Sequence, residues 1–400
     1  MKADFSDAMR RATLATRAQD VVNATKIILQ AVTGRPPARD VDAPPSSPAP
    51  PTLRLIESEP NVEPREADFR AKTAPRNRMP LGDVLQALRH RKGGLFPDHL
   101  ERQIRPLRPP PTPDGARFVS RSFSCAAGRR DYKLYVPASR PDAPRGLIVM
   151  LHGCTQNPDD FAAGTNMNAV AEAHGLVVAY PHQTKSANAS ACWNWFNPGD
   201  QMRDAGEPSI IAGLTQDVLA EFAIDRRRVF VAGLSAGGAM AAVLGATYPD
   251  LFAAIGVHSG LAYRSASDVP SAFSAMRGLA SPEGASAKDA SVPTIVFHGT
   301  RDRTVHPANA ERIVEAARDR RAESIELEEI RGVEGGRGYA RTIARSADGA
   351  PVVEYWRIEG AGHAWSGGRH EGSFADPKGP NASAEMVRFF LAQAAADELR

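Results

Sequence analysis

The sequence predicts an α/β fold with a mostly parallel central sheet flanked by helices, and three observations predict it. Short runs that are apolar throughout recur along the chain: Gly146–Leu151, Leu176–Tyr180, Arg228–Ala232, Ala253–Val257 and Pro293–Phe297. Strands buried on both faces read this way, because neither face meets water. Helical segments fall between several of them, at about 165–174, 207–223, 236–247 and 307–320. From about Phe118 onward some 280 residues keep this pattern, enough for one large domain around a single core.

The remaining elements follow in order. Tyr132–Val136 alternates as a strand. Val352–Ile358 reads as a final strand, paired with Tyr339–Ala344 through an Asp348-Gly349 turn, and a helix runs from Ser383 to about Leu399. Between Ser259 and Ser291 the chain is rich in alanine, serine and glycine. That stretch is too short for a large cap, so no large lid is expected over the site, which reads as an open cleft.

The domain from 117 to 400 is preceded by two segments of different character. Residues 1–33 place Phe5, Met9, Leu14, Val21, Ile28 and Val32 near one stripe, with arginines and acids opposite, as an amphipathic helix does. Such a helix docks on its own body or on a second copy, or it contacts a granule or other hydrophobic surface. Residues 34–116 are crowded with proline and arginine and read as a largely disordered linker. The formal net charge of +3 over 400 residues, with no basic patch interleaved with aromatics, argues against nucleic acid as a partner. No apolar run is long enough to span a bilayer. The N-terminus MKADFSDAMRRATLATRAQ carries charges where a signal peptide needs an apolar core. A cytoplasmic chain is therefore expected, with an extracellular one as the alternative. The three cysteines, Cys125, Cys154 and Cys192, have no metal-like spacing, so neither a metal nor another cofactor is expected.

Chemistry concentrates at strand ends. Gly233-Leu234-Ser235-Ala236-Gly237-Gly238 follows a predicted strand and opens a predicted helix. Gly-x-Ser-x-Gly is a weak pattern alone, since glycine and serine are common in turns. In this context it is the strained turn that lifts a serine hydroxyl above a sheet edge, with glycines where larger side chains would clash. Ser235 needs a base, and His363 lies in the glycine-rich loop Glu359–Gly368 after the last predicted strand. The imidazole needs a carboxylate, and Asp302 follows the strand Pro293–Phe297; Asp268, the competitor, is far from any strand end. The order Ser235, Asp302, His363 is that of α/β-hydrolases. Oxyanion donors are expected from Ala236 N–H and from the loop after Leu151-His152-Gly153, at Cys154 or Thr155.

With these residues in place, about 120–395 resembles the polyhydroxybutyrate depolymerase family of esterases with the type 1 catalytic domain. The resemblance rests on LHGCTQ (151–156), CWNWF (192–196), GLSAGG (233–238), HGTRDRTV (298–305) and GAGHAWSGG (360–368). It implies an α/β-hydrolase fold, a Ser235–His363–Asp302 triad, an oxyanion donor from the loop starting at Cys154, and no cofactor. It also implies a Cys154–Cys192 bridge near the site; two buried free thiols are the alternative for a chain that stays in the cell. Relatives sharing this core are feruloyl and acetyl-xylan esterases. The resemblance implies a polyester-type or small ester as the substrate partner, with carbohydrate esters as the alternative. No binding domain is seen after the catalytic domain, so soluble oligomers or amorphous granules are expected over crystalline polymer. A different class of reading makes the chain a granule- or surface-binding protein acting through its N-terminal helix. Trp193, Trp195, Phe196 and Trp365 lie in predicted loops near the site and are expected to form an apolar wall for substrate, or else to pack locally.

Overall fold

A computed structural model describes residues 112–279, 292–319, 326–347 and 349–398. The amphipathic helix expected over 1–33, all but the end of the 34–116 segment, and Asp348 of the expected turn lie outside the described residues.

The strands are β1 (Arg117–Cys125), β2 (Gly128–Val136), β3 (Gly146–Leu151), β4 (Leu176–Pro181), β5 (Val229–Leu234), β6 (Ala254–His258), β7 (Thr294–Gly299), β8 (Glu326–Glu334), β9 (Arg337–Arg345) and β10 (Pro351–Ile358), with a small pair β11 (Trp365–Ser366) and β12 (Ala375–Asp376). The helices are α1 (Pro158–Thr165), α2 (Met167–His174), α3 (Gly206–Phe222), α4 (Ala236–Thr247), α5 (Val269–Met276), α6 (Ala308–Asp319) and α7 (Ala382–Glu398). The main sheet is 10-stranded, in the order β1-β2-β4-β3-β5-β6-β7-β10-β9-β8. From β4 to β10 neighbours run parallel, and antiparallel pairs close both ends. The expected pairing of β10 with Tyr339–Ala344 is present as the antiparallel β9–β10 ladder.

The period-2 pleat divides each central strand between two cores. Leu147, Val149 and Leu151 of β3, with Val229 and Val231 of β5, pack with Ile211, Leu214 and Val218 of α3 and Met240 and Val243 of α4. The alternate residues Ile148, Met150, Phe230 and Ala232 face Phe161 of α1, Met167 and Ala171 of α2, and Met386, Phe389 and Phe390 of α7. This two-sided burial explains why the parallel strands were uniformly apolar in sequence.

Two details differ from the expectations. The helix expected at 165–174 is present as α2, while α1, which ends where Asn166 adopts φ 53°, precedes it and was not expected. Asn157 caps α1 through its side chain, with Pro158 in the first turn. Strands β1 and β8 carry mostly polar residues and remain exposed or half-exposed at the ends of the sheet, so neither has the apolar signature of the centre. Within 259–279, α5 is the only helix, and no large lid is present among the described residues.

Phe230 and Phe390 are fully buried and stack at 4.8 Å between ring centroids, pinning α7 to the centre of the sheet. Phe390→Ala removes that ring without filling the space, and should destabilise the fold by about 3–5 kcal/mol. Urea unfolding of the variant and the parent measures it; a loss below about 1 kcal/mol would show that α7 is not anchored there.

Candidate active site

The end of β5 is the tightest backbone junction in the site. A Cβ on Gly237 would lie 2.0 Å from Leu151 O, and one on Gly233 would lie 2.4 Å from the Gly237 carbonyl carbon. Both positions must therefore be glycine. Between them Ser235 takes φ 57° and ψ −120°, a strained conformation for a residue with a side chain. It occupies the N-cap position of α4, yet its hydroxyl makes no capping hydrogen bond. The oxygen is left available, and Ser235 N–H donates instead to His258 O at 2.9 Å.

At the end of β7, Asp302 is buried and accepts from Thr304 and Val305 N–H through Oδ1, each at 2.9 Å. His363 Nδ1–H donates to Asp302 Oδ2 at 2.7 Å. That bond fixes the tautomer and leaves Nε2 with a free lone pair. Burial alone would push the Asp302 carboxyl up. The hydrogen bond and charge of His363 and the Val305 N–H outweigh it, so the carboxyl stays below its ordinary value. His298 donates from Nε2 to Val305 O at 2.9 Å and lies 3.5 Å from Asp302 Oδ2, with burial pushing its pKa down.

The structure thus brings Asp302 and His363 into direct contact, while no hydrogen bond joins Ser235 to His363 among the described residues. A residue absent from the sequence reading connects the two halves. His258, at the end of β6, accepts Ser235 N–H on its carbonyl and Ser366 N–H on Nε2 at 3.0 Å. Its ring stacks on Trp365 at 5.1 Å. The loop carrying His363 is thereby tied to the strand neighbouring the serine. The competing Asp268 is accounted for: it caps α5 by accepting from Ser271 N–H at 2.8 Å.

Of the two candidate amides on the loop after β3, Thr155 N–H is committed to Ser190 O at 2.8 Å, which removes it as a free donor. Cys154 N–H makes no hydrogen bond among the described residues, and Ala236 N–H is the first of α4, without an intrahelical acceptor. The loop is held from several sides. Cys154 is disulfide-bonded to Cys192, with a Cα–Cα distance of 4.2 Å. Gly153 N–H donates to Gln156 Oε1 at 2.9 Å, and Trp193 Nε1–H donates to His152 O at 3.0 Å. The partner segment is held in turn by Glu207 of α3, which accepts from Asn194 N–H and Nδ2 at 2.8 Å and from the Gln183 amide.

The aromatic wall needs correction. Trp193 and Trp365 are buried, at 0% and 1% exposure, and are packing residues. Trp365 is enclosed between Phe161 and His258, with its Nε1–H on Ser383 Oγ. Trp195 is also buried and meets the half-buried Phe196 edge-on at 5.6 Å. The large apolar side chain exposed against His363 is Phe374, whose ring lies edge-to-face at 6.3 Å; no motif in the sequence marked it. Among the described residues no group of three or more His, Cys, Asp or Glu is arranged to hold a metal ion.

The family described as Esterase PHB depolymerase has a profile that matches residues 130–329. The chain belongs to that family. It is 35% identical over 256 residues to poly(3-hydroxyalkanoate) depolymerase C of Paucimonas lemoignei, covering 60% of each chain. It is 39% identical over 137 residues to poly(3-hydroxybutyrate) depolymerase of Ralstonia pickettii, covering 32% of this chain and 28% of that one. The chain thus spans 60% or less of the length of these two relatives. The structure of acetyl xylan esterase from Aspergillus awamori overlays with a TM-score of 0.53 at 19% identity, covering 69% of this chain and 99% of that one. This overlay identifies the fold as that of the α/β-hydrolase esterases.

Two predictions follow from the buried polar groups and the bridge. His152 and His258 are held neutral in the folded protein, their pKa values pushed down to about 4 and about 3, chiefly by burial. Unfolded, each takes up a proton near pH 6.5. The depressed folded value means that stability is fully present above that pH and is lost as pH falls toward 4, by about 1.4 kcal/mol per unit for each histidine. Urea midpoints at pH 7 and pH 5 test this; equal midpoints would contradict it. Cys192→Ser opens a loop with a sequence separation of 38. It should cost about 3–4 kcal/mol by urea unfolding, whereas the same change at the exposed, free Cys125 should leave the midpoint unchanged.

Proposed function

We propose that this protein is a serine esterase acting on carboxylic esters, with poly- or oligo(3-hydroxybutyrate)-type polyesters as its substrate class. The observation that carries the reading is a strained, uncapped Ser235 tied through His258 to the loop whose His363 already has its Nδ1 engaged by Asp302. Ser235 Oγ attacks the ester carbonyl while His363 Nε2 takes its proton, and Asp302 stabilises the imidazolium. Ala236 and Cys154 N–H bind the oxyanion, the first reinforced by the N-terminus of α4. His363 returns the proton to the departing alcohol, and water then releases the acyl-enzyme by the same path in reverse. The missing Ser235–His363 hydrogen bond is compatible with this, since such contacts tighten only when substrate is bound.

The depolymerase names of the relatives from Paucimonas lemoignei and Ralstonia pickettii support the polyester side. The acetylxylan esterase A of Aspergillus oryzae, 31% identical over 195 residues, supports the carbohydrate-ester alternative. The Cys154–Cys192 bridge supports an oxidising compartment over the cytoplasmic one suggested by the N-terminal sequence.

Ser235→Ala should lower kcat for p-nitrophenyl butyrate at least about a thousandfold without changing the unfolding midpoint. Unchanged turnover would remove Ser235 from the mechanism. Comparing kcat/KM for hydroxybutyrate oligomers, methyl ferulate and acetylated xylan identifies the acyl group; a clear preference for acetylated xylan would overturn the polyester reading.

A further inference from the structure

Phe374 combines features that packing alone does not explain. It is 39% exposed, although it is large and apolar. Its backbone sits at φ 49°, a left-handed conformation that is a strained outlier for a bulky side chain. Its ring and the imidazole of His363, the proposed proton carrier, lie edge-to-face at 6.3 Å.

The segment carrying it is rigidly founded. Phe374 O accepts Trp365 N–H at 2.7 Å, just before the β11–β12 pair. Ser373 N–H donates to Asp160 Oδ1 at 2.7 Å, and Ser373 Oγ donates to the same carboxylate. Gln156 Nε2 donates to Asp160 Oδ2 at 2.9 Å and to Ser373 O at 3.0 Å, while its Oε1 accepts Gly153 N–H. A Cβ on Gly372 would lie 2.4 Å from Gly164 of α1, so the segment is pressed against that helix. One glutamine amide therefore ties the proposed oxyanion loop to the backbone that presents Phe374. Strain held in place by so many contacts, ending in an exposed ring beside a catalytic base, indicates a purpose for that ring.

We propose that Phe374 is a specificity-determining residue that packs against the alcohol portion of the ester. The assignment to that side is chemical. His363 must deliver its proton to the leaving oxygen, so a group lying against its imidazole borders the alcohol and not the acyl chain. In a hydroxyacid polyester the alcohol portion is itself the next monomer unit, so Phe374 contacts the unit on the departing side of the cut. Gln156 acts through the backbone and is a positioning residue.

This inference rests on the esterase reading, and the experiment separates the two. Methyl, butyl and benzyl butyrate share an acyl group and differ in the alcohol. Phe374→Ala should lower kcat/KM for the butyl and benzyl esters about tenfold, and for the methyl ester less than about twofold. Hydrolysis of the common butyryl-enzyme, measured after a burst with p-nitrophenyl butyrate, should keep its rate, because the alcohol has already left. Phe374→Leu should restore most of the butyl-ester activity. Equal losses on all three esters, or slowed hydrolysis of the acyl-enzyme, would overturn the proposal in favour of a structural role. So would unchanged kinetics. A parent protein inactive on every ester would overturn the esterase reading, and this one with it.

Discussion

Everything at this site depends on how closely two backbones approach beneath Ser235. Leu151 O at the end of β3 and Gly237 in the first turn of α4 leave no room for a single carbon between them. That contact forces glycine at 237, draws the end of β3 up to the helix, and places the 153–155 loop beside the serine. Beside it Ser235 holds its positive φ, and the hydroxyl makes no hydrogen bond back onto the helix. Geometry usually ascribed to side chains is here imposed by main-chain volume.

A second layer of the design is a set of neutral, buried imidazoles at neighbouring strand ends. His152, His258 and His298 all have depressed pKa values from burial. Each offers one donor and one acceptor in a fixed direction, which suits a place where loops must be tied at defined angles. His152 donates to Gly153 O and accepts from Gln183 N–H, and His258 joins the serine turn to the loop of His363. Asp302 is the exception, kept charged by the groups that surround it.

What was legible in the sequence was whatever leaves a local trace. Strands buried on both faces are apolar throughout, the serine turn demands its glycines, and Asp302 and His363 follow apolar strands in a fixed order. What was not legible depends on partners distant in the chain. Trp365 reads as a cleft aromatic from its place in a loop two residues after His363, but Phe161 and Ser383 enclose it from two helices. Thr155 and Cys154 were equivalent until Ser190 took one amide. Phe374 sits between charged and small residues with no periodicity, and only its approach to His363 gives it meaning. The Asn157-Pro158 start of α1 was a readable capping signal that the broader apolar pattern obscured.

The outer end of the sheet carries a consequence of its own. Strand β8 pairs with β9 on one side, and among the described residues no strand pairs with its other side. An unpaired strand edge is a template onto which another chain can add. In β8, Glu326, Glu328, Glu329 and Glu334 accompany the exposed Leu327, Ile330 and Val333. Docking two such strands side by side would bring the carboxylates of both copies within a few ångströms of one another. Carboxylates on an exposed edge of this kind work against its pairing with an identical edge, even where apolar side chains stand beside them.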